Sequence, residues 1–308
     1  MPRSVVVIGN FDGVHRGHQA LLARAVELAR KLGRGEDVLP VVAVTLWPHP
    51  MTIIAPDRAP RLLSTLEDRI ALLKRYGADQ VRVVQFNREV TTWSPQRFVD
   101  TVIRPLDPVA VVVGSNFTFG LGARGNPGTL RELSEGEFSV VDLDLVSIGD
   151  NKSSSSLIRH ALDQGDVTCV AEHLGRWFRL SGVVMLGDQR GRSLGFPTAN
   201  LPIPPDLASP ADGVYAGWLT ILDASDPEPM PAAVSVGTNP TFDGVERRVE
   251  SYVLDRTDLQ LYGVRIAVDF VKQLRGQLRF SGAGQLIAQM RLDVANTRTA
   301  LAESLPGA

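Results

Sequence analysis

The chain has 308 residues, of which 44% are hydrophobic, and its formal net charge is −2. This length exceeds that of a typical single domain, so we expect two domains, each with its own core. The near-neutral charge predicts no broad basic surface and therefore counts against nucleic acid as a partner. The one cysteine, Cys169, excludes an internal disulfide, and we expect it to pack within a helical segment.

The sequence also bears on where the protein works. It contains no run of about 18 apolar residues, the length that a membrane-spanning helix needs. The N-terminus enters a predicted strand without a charged and apolar leader. We therefore expect a cytoplasmic protein without a membrane partner, while homo-oligomer formation stays open.

The first part of the chain alternates apolar runs with amphipathic segments. The predicted strands are Ser4–Ile8, Leu39–Leu46, Val81–Gln85, Val109–Val113 and Ser139–Leu145. The predicted helices are Gln19–Leu32, Leu66–Tyr76, Pro95–Ile103, Gly128–Leu133 and Ser155–Leu162. Alternation of strand and helix predicts a parallel sheet covered on both faces, so residues 1–178 are expected to form an α/β Rossmann-like domain.

The second part, residues 179–308, has a different pattern. Its predicted strands are Leu180–Met185, Val214–Leu222, Ala232–Val236, Val249–Leu254 and Val264–Val271, separated by Gly, Pro and Asp. A long helical pattern over Gly284–Glu303 follows. Short strands between turn residues predict a small antiparallel β-barrel, here with a C-terminal helix.

The stretch from residue 8 to residue 18 carries the strongest chemical signal. His15 and His18, two of the five histidines in the chain, stand between the first predicted strand and the first predicted helix. Glycines in such a turn let the backbone approach a phosphate, and a helix N-terminus favours an anion. We predict that both imidazoles donate to a triphosphate, whereas the alternative is a turn with a capping histidine. The predicted phosphate-binding residues beside them are Gly9, Asn10, Phe11, Asp12 and Gly17.

Polar segments also follow two other strands of the predicted sheet. His49 lies between two prolines after the second strand, and Asn116 and Phe117 follow the fourth strand. Ligands of doubly wound sheets bind at these carboxyl ends, and an asparagine offers both a donor and an acceptor. We predict that all three residues contact a substrate, although His49 is equally consistent with a rigid loop.

A run of serines, residues 153–156, precedes the last predicted helix of the first domain. Composition alone favours a flexible linker, but the apolar face that follows places the serines at the start of a helix. We therefore predict that Ser154, Ser155 and Ser156 donate to phosphate. Arg159 is predicted to neutralise phosphate charge, and the alternative is a solvated helix charge.

The second domain opens with a glycine-rich segment. Backbone amides at Gly187, Gly191 and Gly195 are predicted to wrap phosphates, although such turns are ordinary between barrel strands. Thr198 and Asn200 alternate along an extended run, so their oxygens point to one side and can hold Mg²⁺. Further along, a strand carries Glu250. Its carboxylate is a candidate catalytic base that could accept a proton, and the alternative is an exposed strand glutamate.

These motifs resemble a known family. Residues 9–18 are similar to the G-x-F-D-G-x-H-x-G-H form of the HxGH signature of nucleotidyltransferases. The segments around His49, Asn116 and Arg159 are similar to F-x-P-H-P, G-x-[DN]-F-x-F-G and S-S-T-x-x-R. Residues 197–200 are similar to the P-T-A-N signature of riboflavin kinases. The chain thus resembles the bacterial bifunctional riboflavin kinase/FAD synthetases over nearly its whole length.

The resemblance implies two reactions. The C-terminal domain would phosphorylate riboflavin with ATP and Mg²⁺ to give FMN, and the N-terminal domain would adenylylate FMN with a second ATP to give FAD and pyrophosphate. It further implies that Glu250 serves the kinase reaction, that His15, His18 and Arg159 stabilise charge during adenylyl transfer, and that Arg275 contacts flavin. The partners would then be small molecules, namely ATP and flavins.

Two other functions stay open from the sequence. One is a monofunctional nucleotidyltransferase acting on another small phosphate, such as a pantetheine or choline derivative, with the barrel as a regulatory appendage. Thr198, Asn200 and Glu250 count against it. The other is a non-catalytic flavin-binding protein, and the intact histidine pair counts against that interpretation.

Overall fold

The computed structural model describes residues 3–33, 38–144, 146–148, 151–186, 195–241 and 244–303. The chain divides into two compact units, residues 1–155 and residues 156–308. Among the helices of the described segments, none has the length and apolar character needed to cross a membrane.

The first unit is built on a parallel sheet, as predicted. Its described strands run in the order β3-β2-β1-β4-β5, and every neighbouring pair is parallel. The strands are β1 (Ser4–Ile8), β2 (Val41–Trp47), β3 (Gln80–Gln85), β4 (Pro108–Gly114) and β5 (Ser139–Leu143). β1 is central and fully buried, which explains why it reads as a continuous apolar run.

Helices cover both faces of this sheet. They are α1 (Arg16–Leu32), α2 (Pro50–Ile54), α3 (Leu66–Arg75), α4 (Pro95–Phe98) and α5 (Pro127–Leu133). A π-helical turn, Val99–Ile103, continues α4, and short 3₁₀ turns span Pro56–Arg58, Val90–Thr92, Arg104–Leu106 and Leu121–Ala123. Alternate residues of β1 serve opposite faces: Val7 packs with α1, and Val6 packs with the Phe98 face.

A short antiparallel hairpin precedes the end of the first unit. Its strands are β6 (Ser147–Ile148) and β7 (Asn151–Lys152), which the sequence patterns did not predict. The hairpin brings the chain back to Ser153, whose backbone N–H bonds Val146 O at 2.8 Å. The hairpin therefore fixes the position of the serine run, residues 153–156, that follows it.

The second unit is an antiparallel barrel, again as predicted. Its described strands run in the order β8-β13-β10-β11-β12-β9. They are β8 (Phe178–Val183), β9 (Ala199–Pro202), β10 (Gly213–Ile221), β11 (Pro229–Thr241), β12 (Gly244–Val253) and β13 (Arg265–Gly276). An isolated bridge between Met185 and Asn200 joins the two ends of this order, which nearly closes the barrel.

The remaining helices are α6 (Ser155–Asp163), α7 (Val167–Leu174) and α8 (Ala283–Ala302). α7 carries the half-buried Cys169 in a helix, as predicted. Within the second unit, α6 is tied to the chain before β10 because Ala211 N–H bonds Leu162 O at 2.8 Å. α8 packs against the barrel through Ala300 and Leu301, which lie near Trp177 and Trp218.

Candidate nucleotide and phosphotransfer sites

The loop that leaves β1 has an unusual backbone. Phe11 and Val14 have φ of 53° and 41°, in the left-handed region, and both side chains are fully buried. A β-branched residue such as valine rarely adopts this conformation, so the loop between them is strained. Strain of this kind persists only where the surrounding contacts hold it, and it clusters at functional sites.

The two predicted histidines come together at the start of α1. Their rings stack with centroids 3.7 Å apart, and the ring of Phe11 meets His18 edge-on at 5.1 Å. His15 is the N-cap residue of α1, and a Cβ added at Gly17 would come within 3.1 Å of its ring. A side chain at residue 17 would therefore crowd this ring.

His18 is held neutral by its surroundings. Burial, the charge of His15 and the charge of Arg69, in that order, hold the pKa of the His18 imidazole well below 6.5. Within the described residues, the buried Nδ1 atom of His18 has no hydrogen-bond partner. A neutral ring with an unsatisfied buried nitrogen favours an incoming polar ligand.

Asp12 is buried and contacts residues outside the histidine loop. Its carboxylate, 1% exposed, accepts hydrogen bonds from Leu63 N and pairs with Arg69, whose Nη2 lies 3.2 Å away. Ser64 contacts the same loop, because its Oγ accepts a hydrogen bond from Gly13 N at 3.2 Å. The predicted phosphate contact at Asp12 stays a prediction, and the carboxylate contacts observed include Leu63 and Arg69, which lie outside the loop.

The serine run reaches the same loop. Ser155 Oγ donates to Asp12 O at 3.0 Å, and the carbonyl of Ser153 lies 3.7 Å from the Cβ that Gly17 lacks. Ser154 is half-buried beside them. Ser154 and Ser155, which are predicted positions of the serine run, therefore lie next to the histidine loop. Ser155 is 143 residues away from Asp12 in the sequence.

Ser156 and Arg159 belong to α6 in the second compact unit. Ser156 is exposed and Arg159 is half-buried. Their predicted roles toward phosphate stay predictions.

The other predicted residues of the first unit lie at the carboxyl ends of β2 and β4. His49 caps α2, since its Nδ1 accepts from Met51 N at 3.1 Å, which places the ring proton on Nε2. Asn116 is exposed two residues after β4, and Phe117 stacks on Phe119 with centroids 5.5 Å apart. Because the strand order reverses between β1 and β4, the His15 loop and Asn116 flank the position where doubly wound sheets bind ligands.

In the second unit, the barrel brings Asn200 and Glu250 together. They are directly opposite in the antiparallel pair of β9 and β12 and so share one face of the sheet. Thr198 precedes β9, and Asn200 Nδ2 donates to Thr198 O at 3.4 Å. The structure thus brings Asn200, Thr198 and the half-buried Glu250 close to one another.

A cavity of about 240 Å³ adjoins this group. Gly195, Thr198 and Asn200 contribute to its wall, together with Ser251 on β12. Ser251 Oγ is buried and has no hydrogen-bond partner among the described residues. Gly187 and Gly191, the other predicted glycines, lie outside the described residues.

Arg275 forms a buried ion pair with α8. Its Nε and Nη2 bond the two carboxylate oxygens of Asp293 at 2.9 and 2.6 Å, and Gln289 Nε2 donates to the same carboxylate at 2.8 Å. This pair ties β13 to the C-terminal helix. The predicted flavin contact of Arg275 stays a prediction.

Sequence reasoning missed several of these residues. Arg69, Ser64 and Asp293 carry no motif. Arg69 and Ser64 bond a loop more than 50 residues away, and Asp293 bonds Arg275 on β13. Arg69 offered one signal: it lies on the same stripe of α3 as Leu66 and Leu73, where a charge is unexpected. A charged residue on an apolar stripe predicts a buried polar contact.

The family models and the most similar proteins agree with the two-unit description. A model for FAD synthetase matches residues 1–157, and one for riboflavin kinase matches residues 174–301. The bifunctional riboflavin kinase/FMN adenylyltransferase of Escherichia coli (strain K12) is 35% identical over 296 residues, 96% of this chain and 91% of that protein. The protein of the same description from Bacillus subtilis (strain 168) is 32% identical over 296 residues, 94% of this chain and 90% of that protein.

A solved structure gives the same result for the fold. The crystal structure of a macrolide-efflux protein from Streptococcus pneumoniae, so described, matches with a TM-score of 0.85 and 32% identity over 96% of this chain and 94% of that chain.

The parallel-sheet unit and the barrel unit therefore define a two-domain transferase, with a nucleotidyltransferase domain before a kinase domain. The chain belongs to the family of bifunctional riboflavin kinase/FMN adenylyltransferases. The predicted family and enzyme class are confirmed. The boundary predicted between residues 178 and 179 stays a prediction. The compact units divide between residues 155 and 156, whereas the first family model ends at residue 157 and the second begins at residue 174.

Proposed function

We propose that this chain makes FAD from riboflavin in two steps, with one ATP consumed at each of two separate sites, in the cytoplasm. The observation that carries the proposal is the stacked pair His15 and His18 on a strained loop at the N-terminus of α1. The pairing of Asn200 with Glu250 in the barrel supports the second site.

In the first step the barrel domain acts as the kinase. The ribityl 5′-hydroxyl of riboflavin attacks the γ-phosphorus of ATP, Glu250 accepts the hydroxyl proton, and ADP leaves. Glu250 suits this role because it is half-buried on the face of β12 that it shares with Asn200. The adjoining cavity of about 240 Å³ is the place where we expect part of the ATP to bind.

The kinase step needs a cation beside the phosphates. Described residues contain no cluster of three or more His, Cys, Asp or Glu that could hold a metal alone. Thr198 and Asn200 instead offer neutral oxygens, which fits Mg²⁺, an ion that commonly combines few protein ligands with substrate phosphates and water. Bound there, Mg²⁺ would neutralise charge on the transferring phosphate.

In the second step the parallel-sheet domain acts as the adenylyltransferase. A phosphate oxygen of FMN attacks the α-phosphorus of ATP, the bond between the α- and β-phosphates breaks, and pyrophosphate leaves. The attacking oxygen is already anionic, so no general base is needed. His15, His18, the N-terminus of α1 and the serines at 154 and 155 supply the donors that stabilise the growing charge.

Both steps are tested together by incubating the purified chain with riboflavin, ATP and Mg²⁺ and separating the flavins. We expect FMN to form first and FAD to follow, and we expect an excess of chelator to abolish FMN formation because Thr198 and Asn200 cannot hold the phosphates without the cation. A parallel incubation contains FMN in place of riboflavin. FAD formation there, with riboflavin unchanged in the first incubation, would indicate a monofunctional adenylyltransferase. Flavin binding without any product would refute the enzyme assignment.

A further inference from the structure

We infer that Arg69 on α3 is a positioning residue for adenylyl transfer, which holds the strained loop of residues 10–14 in the conformation that receives ATP. The inference rests on the proposed function of the first unit and assigns a residue to it that carries none of the recognised motifs.

Arg69 is fully buried, although a charged side chain is costly to remove from water. Its guanidinium is surrounded by the nucleotide loop and the end of β2. Nη1 donates to Asn10 O at 2.9 Å and Nη2 lies 3.2 Å from Asp12 Oδ1. These two bonds fix the loop on either side of Phe11, one of the residues with positive φ.

The same guanidinium also holds the end of β2. Nη1 donates to Leu46 O at 3.3 Å and to Thr45 Oγ1 at 3.4 Å, and the guanidinium lies over the Trp47 ring, 5.2 Å from its centroid. Thr45 Oγ1 in turn donates to Asn10 O at 2.9 Å. Arg69 therefore connects the histidine loop with the segment that leads to His49.

A purely structural role would not need a charge at this place. A buried ion pair replaced by apolar side chains of similar volume often leaves stability unchanged or improved, whereas removal of one partner is strongly destabilising. The planar fork of arginine can instead bond several fixed carbonyl and carboxylate oxygens at once, which suits the positioning of a loop. The bond pattern of Arg69, with acceptors on the histidine loop and on β2, has this form.

The test measures both activities of the full-length chain, so that FMN formation by the barrel reports the concentration of intact protein. The variants are Arg69→Met, Arg69→Lys and the double variant Asp12→Leu/Arg69→Met, which leaves no unpaired buried charge. Arg75→Met, which changes an exposed arginine at the end of the same helix, is the matched control.

For Arg69→Met and for the double variant we expect kcat/KM for ATP in FAD formation to fall about 100-fold, the size of effect that a misplacement of about 1 Å produces. Part of this fall is a higher KM for ATP, since a misplaced loop binds the triphosphate less well. A smaller folded fraction would lower the maximal rate and leave KM unchanged. Arg69→Lys should recover part of the loss because it keeps the charge beside Asp12, and FMN formation and the Arg75→Met control should match the wild type.

An unchanged KM for ATP in the double variant, with FAD formation near the wild-type rate, would overturn the inference. If these variants fail to fold, Thr45→Val decides, because it removes one shared contact of Arg69 and Asn10 without changing volume or charge. A rise in KM for ATP of about threefold is then expected, and wild-type kinetics would overturn the inference. A wild-type chain that makes no FAD would instead refute the proposed function itself.

Discussion

His18 illustrates how one side chain depends on its neighbours. Its pKa lies well below 6.5 because the ring is desolvated and faces the charges of His15 and Arg69. At pH 7 the ring is therefore neutral and can both donate and accept a hydrogen bond. The approach of a triphosphate reverses the electrostatics, since negative charge favours protonation of the imidazole.

The lowered pKa predicts a pH dependence of stability. As pH falls below about 6.5 the unfolded chain takes up a proton at this histidine before the folded chain does, so the free energy of unfolding decreases with decreasing pH. We expect His18→Asn to reduce the loss of stability between pH 7 and pH 5.5, measured by urea unfolding of the first unit. His160→Asn, at an exposed position on α6, is the control, and equal pH dependence in both variants and the wild type would contradict the explanation.

The sequence pointed to the candidate residues His15 and His18, but not to the residues that contact their loop. His15 and His18 could be found because a strand, a glycine-rich turn and a helix are contiguous in the chain. Arg69 could not, because its partners Asn10, Asp12 and Leu46 are brought to it by the folding of three separate segments. The strain at Val14 is likewise invisible in a sequence, since nothing in a valine predicts a positive φ.

At the scale of elements, the C-terminal helix α8 is attached to the barrel by charge as well as by apolar packing. The Arg275 and Asp293 side chains are 18% and 6% exposed, so their ion pair is largely removed from water. A second pair on the same helix, Arg298 with Asp255, is exposed at 52% and 70%. The two pairs allow a direct comparison of buried and exposed charge.

We expect Asp293→Asn to lower the free energy of opening of α8 by roughly 3 kcal/mol, because it leaves a largely buried guanidinium without its counter-charge. Arg298→Met should change it much less, as is usual for exposed pairs. Amide hydrogen exchange of α8, followed by mass spectrometry, measures both. Equal effects of the two substitutions would show that the buried pair does not hold the helix.

Element prediction succeeded where a pattern is local. β1 was predicted at its observed bounds, and the helix predicted over Gly284–Glu303 is observed over Ala283–Ala302. β9, by contrast, was predicted only as an extended run, because it has four residues and is defined by its pairing with β12. Its pairing is nevertheless what aligns Asn200 with Glu250.

At the scale of the whole molecule, the two compact units, each with its own candidate site, follow from a change of pattern along the chain. Alternating strands and helices predicted the parallel sheet, and short strands between turn residues predicted the barrel. The boundary between them was harder to predict, because α6 and α7 continue the helical pattern of the first unit although they pack with the second. A local sequence pattern does not show which of the two cores a helix packs against.

The separation of the two sites leads to the most direct test of the account. The full-length variants His15→Ala/His18→Ala and Glu250→Gln are each incubated with riboflavin, ATP and Mg²⁺, and with FMN in place of riboflavin, and the flavin products are separated. The double histidine variant should make FMN at the wild-type rate and no FAD. Glu250→Gln should make FMN at least about 100-fold more slowly, as expected for loss of a general base, yet convert added FMN to FAD normally. Loss of both products in either folded variant, or normal FMN formation by Glu250→Gln, would contradict the account.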